Sequence, residues 1–531
     1  MHRDDFAMLS NNIVYFDNGA TTLKPKCVRD AICKYYDEYT ANAHRGDYKT
    51  SAIVDNLYES TREEIKNFIN AKENSEIVFT SGTTNGMNMI VTGFFKNYLK
   101  KDDEVLITLS EHASNILPWF ILQKEIGIKV KYIPLNENHE VTIDNFKKSI
   151  TNKTKVVSLA YVTNVVGDER PIKEISKIAH DNNILVVVDA AQGIPHKKIN
   201  VQKDDIDFMA FSGHKMYGPT GVGVLYAKFD LPDKITPMNY GGGMNAIFTK
   251  DGYVELREIP TRLEGGTPNI EGVLGLSAAI QYLNNIGMDK INKYEKDLRR
   301  YLINELNKLD FIEVYNKDVN TNIVAFNIKG VFAQDAAIYL DKYNICVRAG
   351  NHCAKILDNV FNISNTVRIS LSFYNTKEEI DLLINVLKNI MDRDLKRSII
   401  LDNYQSPNNK HTSDDSYFKI NTRNVSCIDN LDIYLKIEDN IIKDISFEGE
   451  ACVISISSTN ILTNLLIGKT KEEGIYLTDN YLKMINEEEY DKEVLKELLV
   501  FDDTSKQPSR IKCATLSANG IKDYLEKENH S

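Results

Sequence analysis

The sequence predicts an α/β fold for about the first 390 residues, followed by a smaller α+β module. Short β-branched runs alternate with helical patterns in the first part, which is typical of a mainly parallel sheet wrapped by helices. These runs are EIVFT, EVLITL, VKYIPL, KVVSLAYV, ILVVVD, DFMAFS and GVGVLYA. From about residue 280 to 390, helices and the short strands IEVY and NIVAFNI predict a second, smaller α/β domain packed on the first.

The C-terminal module is predicted to begin near residue 394. The amphipathic run TKEEIDLLINVLKNIMD and the helical pattern after it end at Ser406-Pro407, because the residue before a proline avoids helical geometry. A polar loop, strands at LDIYLKIEDN and IIKDISFEG, and helices up to residue 531 follow. This order predicts a compact α+β module.

Length, charge and cysteine usage restrict the class of protein. A chain of 531 residues with 42% hydrophobic residues can bury two to four domains. A net charge of −11 argues against nucleic-acid binding. Residues 394–531 include 17 basic and 25 acidic residues, and this acidic excess could form either a solvated surface or a docking face for a basic partner. There is no apolar leader, no run long enough to span a bilayer and no disulfide framework. We therefore expect a cytoplasmic enzyme without membrane contact.

Two charged residues end apolar runs that read as buried strands. Lys215 follows one such strand in FMAFSGHKMYGP, and Asp189 ends ILVVVD, at the edge where open α/β sheets bind ligands. An isolated lysine would normally be exposed in a turn. FTSGTTNG (79–86) adds a strand that breaks into a Gly/Thr turn before a helix, which suits a phosphate. Together they indicate pyridoxal phosphate, with a Schiff-base lysine and a carboxylate beside the ring nitrogen.

Ten segments, in order, resemble the SufS-type cysteine desulfurases of the class V aminotransferase superfamily. They are YFDNGATT, NAHRGDY, SGTTNGMN, SEHASNILPW, VTNVVGD, VDAAQ, SGHKMYGP, EGGTPN, RAGNHCA and VRISLSFYNT. The resemblance implies the type I fold of pyridoxal phosphate-dependent aminotransferases and a homodimer. It also implies a large domain at about 20–275 and a small domain from 1–19 plus 276–393.

The resemblance implies a role for each matching residue besides Lys215 and Asp189. The residues expected around the cofactor are His112 on the ring face, Gln192 at the ring hydroxyl, Thr84, Ser212 and His214 at the phosphate, and Thr267 reaching that phosphate from the other subunit. The residues expected to bind the substrate carboxylate are Asn164, Arg368 and Arg348, since an arginine fork suits a planar anion.

Cys353 is the residue that selects desulfuration over amino transfer. A lone cysteine is usually an inert small hydrophobe, but this one follows His352 and lies between Arg348 and Lys355, a basic setting that favours the thiolate. The resemblance implies that this thiolate attacks the sulfur of cofactor-bound L-cysteine and leaves a persulfide and L-alanine. The family usually has two histidines before the cysteine, whereas this chain has Asn351 in the first position.

A second constellation lies in the C-terminal part: Cys427 and Asp429 in SCIDN, Cys452 in FEGEACVIS and Cys513 in SRIKCATLS. Such cysteines could be core residues, but three thiolates and a carboxylate also suit tetrahedral Zn²⁺. YQSPNNK, GEACVIS and RIKCATLS resemble SufU-type zinc-dependent sulfur-transfer proteins. IscU-type scaffolds have a histidine before the last cysteine, where this chain has Lys512. The resemblance thus implies these four zinc ligands, with Cys427 as sulfur acceptor.

One departure concerns how the acceptor cysteine leaves zinc. In SufU-type systems the partner desulfurase carries VHPHD, whose second histidine is thought to take a zinc position. This chain has VFAQD, so Gln334 replaces the imidazole, and a neutral amide is a poor zinc ligand. Cys427 remains the expected acceptor, with His352 and His411 as candidates for the exchanging group.

The sequence therefore predicts a cysteine desulfurase (1–393) fused to a zinc-binding sulfur acceptor (394–531). Its expected partners are L-cysteine, a second copy of the chain and an iron–sulfur cluster assembly scaffold that receives the sulfur. Three alternatives stay open. The module could itself be a cluster scaffold, or the enzyme could be a selenocysteine lyase or a class V aminotransferase of other specificity.

Overall fold

The structure is a computed structural model in which the chain folds into two compact units, Met1–Leu387 and Lys388–Ser531. The residues that it describes are 2–43, 46–354, 365–411, 413, 416–424 and 429–528. Outside these ranges lie His44 and Arg45 of the NAHRGDY segment, Lys355 and Cys427.

The first unit is built on a seven-stranded, mainly parallel sheet. The strands of the whole first unit, in chain order, are β1 (Val14–Tyr15), β2 (Ile77–Thr80), β3 (Glu104–Ile107), β4 (Lys129–Tyr132), β5 (Thr154–Ala160), β6 (Leu185–Asp189), β7 (Phe208–Ser212), β8 (Gly223–Ala227), β9 (Asn245–Phe248), β10 (Val254–Leu256), β11 (Ile312–Val314), β12 (Ile323–Ile328), β13 (Ile345–Cys346), β14 (Arg348–Gly350) and β15 (Thr366–Ser370). The large sheet has the order β2-β8-β7-β6-β5-β3-β4, and only β8 runs antiparallel to its neighbours. Each of the seven predicted runs overlaps one strand of this sheet, so the predicted sheet is confirmed.

Except at the edge strand β4, which is mostly exposed, both faces of the large sheet are buried, and this burial explains why its strands read as continuous apolar runs. In β6, for example, Val186 and Val188 pack into one apolar cluster while Val187 packs into another on the opposite face. The helices of the first unit are α1 (Lys26–Glu38), α2 (Lys49–Ile69), α3 (Thr83–Asn88, continued by the π-helical Met89–Phe95 and the turn Lys96–Tyr98), α4 (Leu117–Ile126), α5 (Ile143–Ser149), α6 (Ile172–Asp181), α7 (Ile270–Ile286), α8 (Met288–Leu306), α9 (Ala333–Asp341) and the beginning of α10 (Lys377–Gln405), a helix that includes the boundary between the units after Leu387. The last of these ends immediately before Ser406-Pro407, as predicted.

A smaller antiparallel sheet, β11-β12-β15-β14, carries two arginines. In the register of β14 and β15, Arg348 lies opposite Arg368. The N-terminal segment joins this region, because β1 pairs in parallel with β13 and Asp17 bridges to Ser370. These pairings hold the N-terminal segment against the strand that carries Arg368.

The second unit is a three-stranded antiparallel sheet packed against helices. Its strands are β16 (Phe418–Arg423), β17 (Asn430–Glu438) and β18 (Ile441–Glu450), in that order across the sheet. Its helices are α11 (Val453–Leu466), α12 (Lys471–Ile485), α13 (Lys492–Leu495, followed by the 3₁₀ segment Lys496–Lys506) and α14 (Pro508–Glu528). One apolar core, which includes Ile433, Phe447, Leu462 and Ile521, joins the sheet to the helices. The predicted α+β module is confirmed.

Several strands were not predicted from the sequence, and among them β9, β10 and β16 have little buried surface. β16 was expected to be part of a polar loop, but it forms the edge of the second sheet; only Thr422 in it is buried. The β9–β10 hairpin was not predicted either, and Phe248 and Val254 within it are exposed. Strands with one weakly buried face lack the apolar alternation by which strands are recognised. None of the helices in the described ranges is long and apolar enough to cross a membrane.

Candidate functional site

The carboxyl ends of β5, β6 and β7 open into a pocket of about 230 Å³. The pocket brings together eleven of the residues singled out in the sequence: Thr84, His112, Asn164, Asp189, Gln192, Ser212, His214, Lys215, Arg348, Cys353 and Arg368. Thr267 is not among the residues that line it and lies instead on a second cavity with Ser81 and Gly221. The structure thus gathers residues that are up to 284 positions apart (368 − 84) into one cavity.

Lys215 ends a short 3₁₀ turn, Gly213–Lys215, directly after β7. Burial lowers the pKa of its amine to about 8; Asp189 opposes this shift, and the positive charges of Arg368 and Arg348 add to it. A lowered pKa makes the neutral amine available near physiological pH. The neutral amine is the form that attacks an aldehyde.

Asp189 provides a buried carboxyl group at the end of β6. Its Oδ1 accepts a hydrogen bond of 3.0 Å from the Ala191 amide, and burial raises its pKa despite that bond and the charge of Lys215. A buried carboxylate is strongly stabilised by an adjacent positive charge. The protonated ring nitrogen of pyridoxal phosphate would supply such a charge, so the buried carboxyl group of Asp189 fits this cofactor.

Hydroxyl groups and backbone amides converge at the other end of the pocket. Ser212 Oγ accepts from the Thr83 amide at 2.8 Å, and Thr84 Oγ1 lies 2.7 Å from Ser114 Oγ. Gly82 has φ of 148°, and a Cβ there would lie 3.2 Å from Ser212 Oγ, so the chain needs glycine to make this close turn. The set of donors at the start of α3 suits a phosphate.

Two histidines in the pocket are held neutral. Burial lowers the pKa of His112 to about 4, and the positive charges of Lys215, Arg348 and Arg368 add to the shift. Burial, with Lys215 and Lys24, likewise lowers the pKa of His214 to about 4. His112 Nδ1 accepts from the Ser114 amide at 3.1 Å, which fixes the ring orientation. A neutral, oriented imidazole suits stacking on a cofactor ring.

Arg368 is fully buried at the wall of the pocket. Its Nη2 donates to Asp17 Oδ1 at 2.9 Å and its Nη1 to the Asn164 carbonyl at 3.0 Å. The Nε atom has no hydrogen-bond partner among the described residues. Because Arg348 lies opposite in the sheet register, two guanidinium groups border the same space. This pair suits a carboxylate or another planar anion.

Cys353 is exposed at the edge of the pocket, with its Sγ 3.9 Å from Arg348 Nη2. Its φ of 59° and that of His352, 50°, are both left-handed, which costs on the order of 1–2 kcal/mol for each non-glycine residue. Two bonds hold this conformation: Asn164 Nδ2 donates to the His352 carbonyl at 2.6 Å, and the Ala113 amide donates to the Cys353 carbonyl at 2.9 Å. The backbone therefore holds the thiol beside a guanidinium group.

His352 is buried beneath the cysteine. Its Nε2 lies 3.1 Å from the Thr366 carbonyl and 3.0 Å from Thr366 Oγ1, and burial, with the charges of Arg368 and Arg348, lowers its pKa to about 3. The imidazole is thus neutral and already engaged by β15.

The second unit brings three further sequence-predicted residues together. The ligand atoms of Asp429, Cys452 and Cys513 all lie within 4.8 Å of one another, and Asp429 Oδ2 is 3.7 Å from Cys452 Sγ. A tetrahedral zinc ion with Zn–S and Zn–O bonds of ordinary length separates a sulfur and an oxygen ligand by about 3.6 Å. The donor set therefore fits Zn²⁺. The fourth predicted ligand, Cys427, lies outside the described residues.

Hydrogen bonds organise this cluster before any metal binds. Burial alone would raise the pKa of Asp429, but bonds from the Cys452 amide at 2.6 Å, from the two thiols and from Ser455 Oγ at 2.9 Å lower it. Burial, Asp429 and Cys452 raise the pKa of Cys513 to about 12. Ser455 Oγ also lies 3.1 Å from the Cys513 carbonyl and 3.5 Å from Cys452 Sγ, so one hydroxyl contacts all three residues.

Comparisons with known proteins agree with this arrangement. The family described as Aminotransferase class-V matches residues 14–383, and the one described as NifU-like N terminal domain matches residues 395–529. The chain belongs to the class V aminotransferase family. A NifU-like domain follows the aminotransferase domain in the same chain.

Named relatives of the aminotransferase domain are desulfurases. A probable cysteine desulfurase of Halalkalibacterium halodurans is 42% identical over 71% of this chain and 92% of its own length. A cysteine desulfurase of Wigglesworthia glossinidia brevipalpis is 39% identical over 72% and 95%. The solved apo structure of the cysteine desulfurase of Thermococcus onnurineus NA1 has a TM-score of 0.70 and 38% identity, covering 73% of this chain and 96% of that one.

Behind the pocket of the class V aminotransferase domain lies a buried ionic cluster that sequence analysis missed. Arg170 contacts Asp168 and Ser110 Oγ, and it lies 3.8 Å from Glu111 Oε1. Glu111 precedes His112, and Asp168 belongs to the turn that holds Asn164, so the cluster ties these two loops together. The charges in SEHASN and VVGDER were visible in the sequence, but their pairing depends on the fold.

The lowered pKa of Lys215 leads to a first prediction. When pyridoxal phosphate is added to cofactor-free protein between pH 6 and 10, attachment to Lys215 should follow a midpoint near the pKa of about 8, whereas an ordinary lysine would follow about 10.4. The sign follows from the cause, since burial disfavours the ammonium and frees the amine above pH 8. Borohydride trapping and peptide mass spectrometry measure it, with Lys215→Arg as the control. A midpoint at the ordinary value would contradict the inferred burial.

Proposed function

We propose that the chain is a pyridoxal phosphate-dependent cysteine desulfurase that places the sulfur of L-cysteine on Cys353 and passes it to its NifU-like domain for iron–sulfur cluster assembly. The observation that carries this proposal is the position of Cys353. It is an exposed thiol beside Arg348, at the edge of a pocket that also contains Lys215 and Asp189. The named desulfurases among the relatives support the same reaction.

Different residues of the pocket would bind different parts of the cofactor. Lys215 would bond to its aldehyde, Asp189 would pair with its ring nitrogen, and His112 would lie on its ring. Gln192, whose Nε2 donates to the Gly19 carbonyl at 2.7 Å, would approach the ring hydroxyl. The phosphate would bind to Thr84, Ser212 and His214. When bound, pyridoxal phosphate supplies an electron sink for bonds made and broken in the substrate.

Arg368 would bind the carboxylate of L-cysteine, with Arg348 and Asn164 beside it. The side-chain amide of Asn164 already donates to the His352 carbonyl, so this residue would join the substrate site to the backbone of the cysteine loop. Substrate binding and the position of the nucleophile are then set by one side chain. We infer that Asn164 orients Cys353 in addition to its role towards the carboxylate.

The sulfur step is a displacement at sulfur. The Cys353 thiolate attacks the sulfur of L-cysteine, an S–S bond forms, and the C–S bond breaks. A proton takes the place of sulfur on the substrate carbon, so L-cysteine and the Cys353 thiol become L-alanine and a Cys353 persulfide. The Arg348 guanidinium lies beside the attacking sulfur, with Nη2 3.9 Å from Sγ.

The second prediction tests the nucleophile. Cys353→Ser should still bind cofactor and L-cysteine but lower alanine formation by on the order of 10³-fold, because a hydroxyl does not replace the thiolate. Cys33→Ser, an exposed cysteine of α1, is the matched control and should retain full activity. Near-normal alanine output from Cys353→Ser would remove this residue from the mechanism. Alanine absent from the wild-type protein, with product formed only from selenocysteine, would favour the lyase alternative.

The NifU-like domain is proposed to bind Zn²⁺ through Asp429, Cys452, Cys513 and Cys427. The close approach of the first three supports a metal site, and the exclusive use of sulfur and one carboxylate oxygen suits zinc. The same donors could hold iron in a cluster scaffold, which is the alternative for this domain. Lys512, in place of the scaffold-type histidine, favours zinc.

The third prediction concerns metal content. Aerobically purified protein should carry one zinc per chain, and both Cys452→Ser and Cys513→Ser should lose most of it, because each removes one of four ligands. Elemental analysis with Cys33→Ser as control measures this result. Iron together with a brown colour would favour the scaffold, and normal zinc in both variants would show that the ligand set is wrong.

Sulfur transfer would proceed by thiol exchange at the persulfide. The Cys427 thiolate attacks the terminal sulfur of the Cys353 persulfide, the S–S bond breaks, and the Cys353 thiolate leaves. Gln334 lies in the first turn of α9 and offers no imidazole to replace Cys427 on zinc. His352 is buried and bonded to Thr366, so an exchange through it would require that contact to open. His411 remains the other candidate.

The fourth prediction separates sulfur formation from sulfur transfer. Cys427→Ser should form the Cys353 persulfide at the wild-type rate but pass no sulfur on, as persulfide mapping by mass spectrometry will show after L-cysteine is added. Gln334→His serves as a gain-of-function comparison and should leave transfer unchanged or make it faster. Persulfide on another cysteine of the NifU-like domain in Cys427→Ser would refute the proposed route.

A homodimer would complete the cofactor site. Thr267 lies on a cavity separate from the pocket of its own chain, which supports the proposal that it reaches the phosphate in a second copy. A cytoplasmic location and an iron–sulfur assembly scaffold as final sulfur acceptor complete the proposed function.

A further inference from the structure

The carbonyl of His214, the residue before Lys215, is surrounded by hydrogen-bond donors. It accepts from the Thr22 amide at 3.1 Å, Thr22 Oγ1 at 3.1 Å and Thr21 Oγ1 at 3.0 Å. A fourth donor, Lys24 Nζ, lies at 2.8 Å. A carbonyl oxygen has two lone pairs, so the hydroxyls and the amide alone would satisfy it. Lys24 therefore adds a further donor to this carbonyl, and unlike the other three it carries a charge.

Lys24 is an unusual donor because its charge is not neutralised by a carboxylate. Its other contacts are the Thr22 carbonyl at 2.5 Å and Thr21 Oγ1 at 3.2 Å, and within the described ranges it forms no ion pair. Burial lowers the pKa of its amine to about 8. Lys24 is half-buried, and an ammonium ion that contacts only neutral oxygens among the described residues loses part of its hydration without a carboxylate to compensate, so its charge calls for a reason beyond packing.

The contacts of Lys24 lead directly to the turn that carries Lys215. The Tyr217 amide donates to Thr22 Oγ1 at 2.8 Å, so the segment of Thr22 and Lys24 holds this turn on both sides of Lys215. The charge of Lys24 also contributes to the lowered pKa of His214, which shows that its field reaches the end of the pocket proposed for the phosphate.

We propose that Lys24 is a positioning residue for Lys215. Its ammonium group holds the His214 carbonyl, which fixes the direction in which the next side chain enters the pocket, and it adds a positive charge at the end where a phosphate would bind. The inference rests on the proposed function in one respect, namely that Lys215 is the residue that bonds to pyridoxal phosphate.

The test compares charge removal at Lys24 with charge removal nearby. Lys24→Met keeps an unbranched apolar side chain without the ammonium, and Lys34→Met on the exposed face of α1 is the matched control. Cofactor-free protein is mixed with pyridoxal phosphate at pH 7.5, and covalent attachment to Lys215 is followed by borohydride trapping, peptide mass spectrometry and visible absorbance. The attachment rate of Lys24→Met should be about ten- to a hundredfold lower than that of the wild-type protein, because a misdirected reactive group reacts slowly. The attachment rate of Lys34→Met should be unchanged.

A second variant distinguishes the ammonium group from packing. Lys24→Ala should open a space bordered by the Thr22 and His214 carbonyls, and added ammonium ions should restore part of the attachment rate. Tetramethylammonium, which carries the charge but donates no hydrogen bond, should not. Lys24→Gln, which keeps a donor, replaces Lys24→Met if that variant does not fold, and it should also attach slowly. If Lys24 had only a structural role, its substitution would lower the melting temperature of the protein, and ammonium ions would not selectively restore the attachment rate.

The outcomes separate this inference from the proposed function. A wild-type attachment rate in whichever neutral variant folds, or no rescue of Lys24→Ala by ammonium, would overturn the positioning role. If the wild-type protein forms no bond between Lys215 and pyridoxal phosphate, the proposed function itself is wrong. Slow attachment in the neutral variant, with normal attachment in the control and rescue by ammonium, supports the role of Lys24.

Discussion

Exclusion of water from the pocket at the carboxyl edge of the large sheet sets the charge of the groups within it. The same burial that lowers the pKa of Lys215 to about 8 and of His112 to about 4 raises that of Asp189. An amine that loses its proton more easily than an ordinary lysine, a neutral imidazole ring and a carboxyl group in need of a positive partner therefore arise from one physical cause. Walls from distant parts of the chain, Gly19 and Arg368 among them, make that burial possible.

Cys353 follows the opposite principle, since its side chain stays in contact with solvent. An exposed thiol gains no orientation from packing, so backbone contacts have to supply it. Asn164 and the amide of Ala113 hold two consecutive carbonyls and stabilise a left-handed conformation that side chains disfavour. The arrangement leaves the sulfur accessible both to a substrate in the pocket and to an acceptor outside it.

The large sheet could be predicted because most of its strands are buried on both faces, whereas β16 and the β9–β10 hairpin bury too little apolar surface to be recognised. Residues at strand ends, such as Lys215 and Asp189, stood out for the same reason. Lys24 did not, because its contact with the His214 carbonyl joins positions 190 residues apart and exists only in the folded chain. Local pattern reveals which residues end a strand, but not which distant donors meet there.

In the NifU-like domain, hydrogen bonds and packing fix the positions of Asp429, Cys452 and Cys513. Cys452 caps the start of α11, Cys513 is buried within α14, and Asp429 accepts bonds from Cys452 and Ser455. Movement of any of the three would break hydrogen bonds or disturb packing that the domain core needs. A sulfur acceptor has to expose its thiolate to a persulfide, and this requirement conflicts with those constraints. These constraints support the proposal that Cys427, the remaining predicted ligand, is the residue that accepts the sulfur.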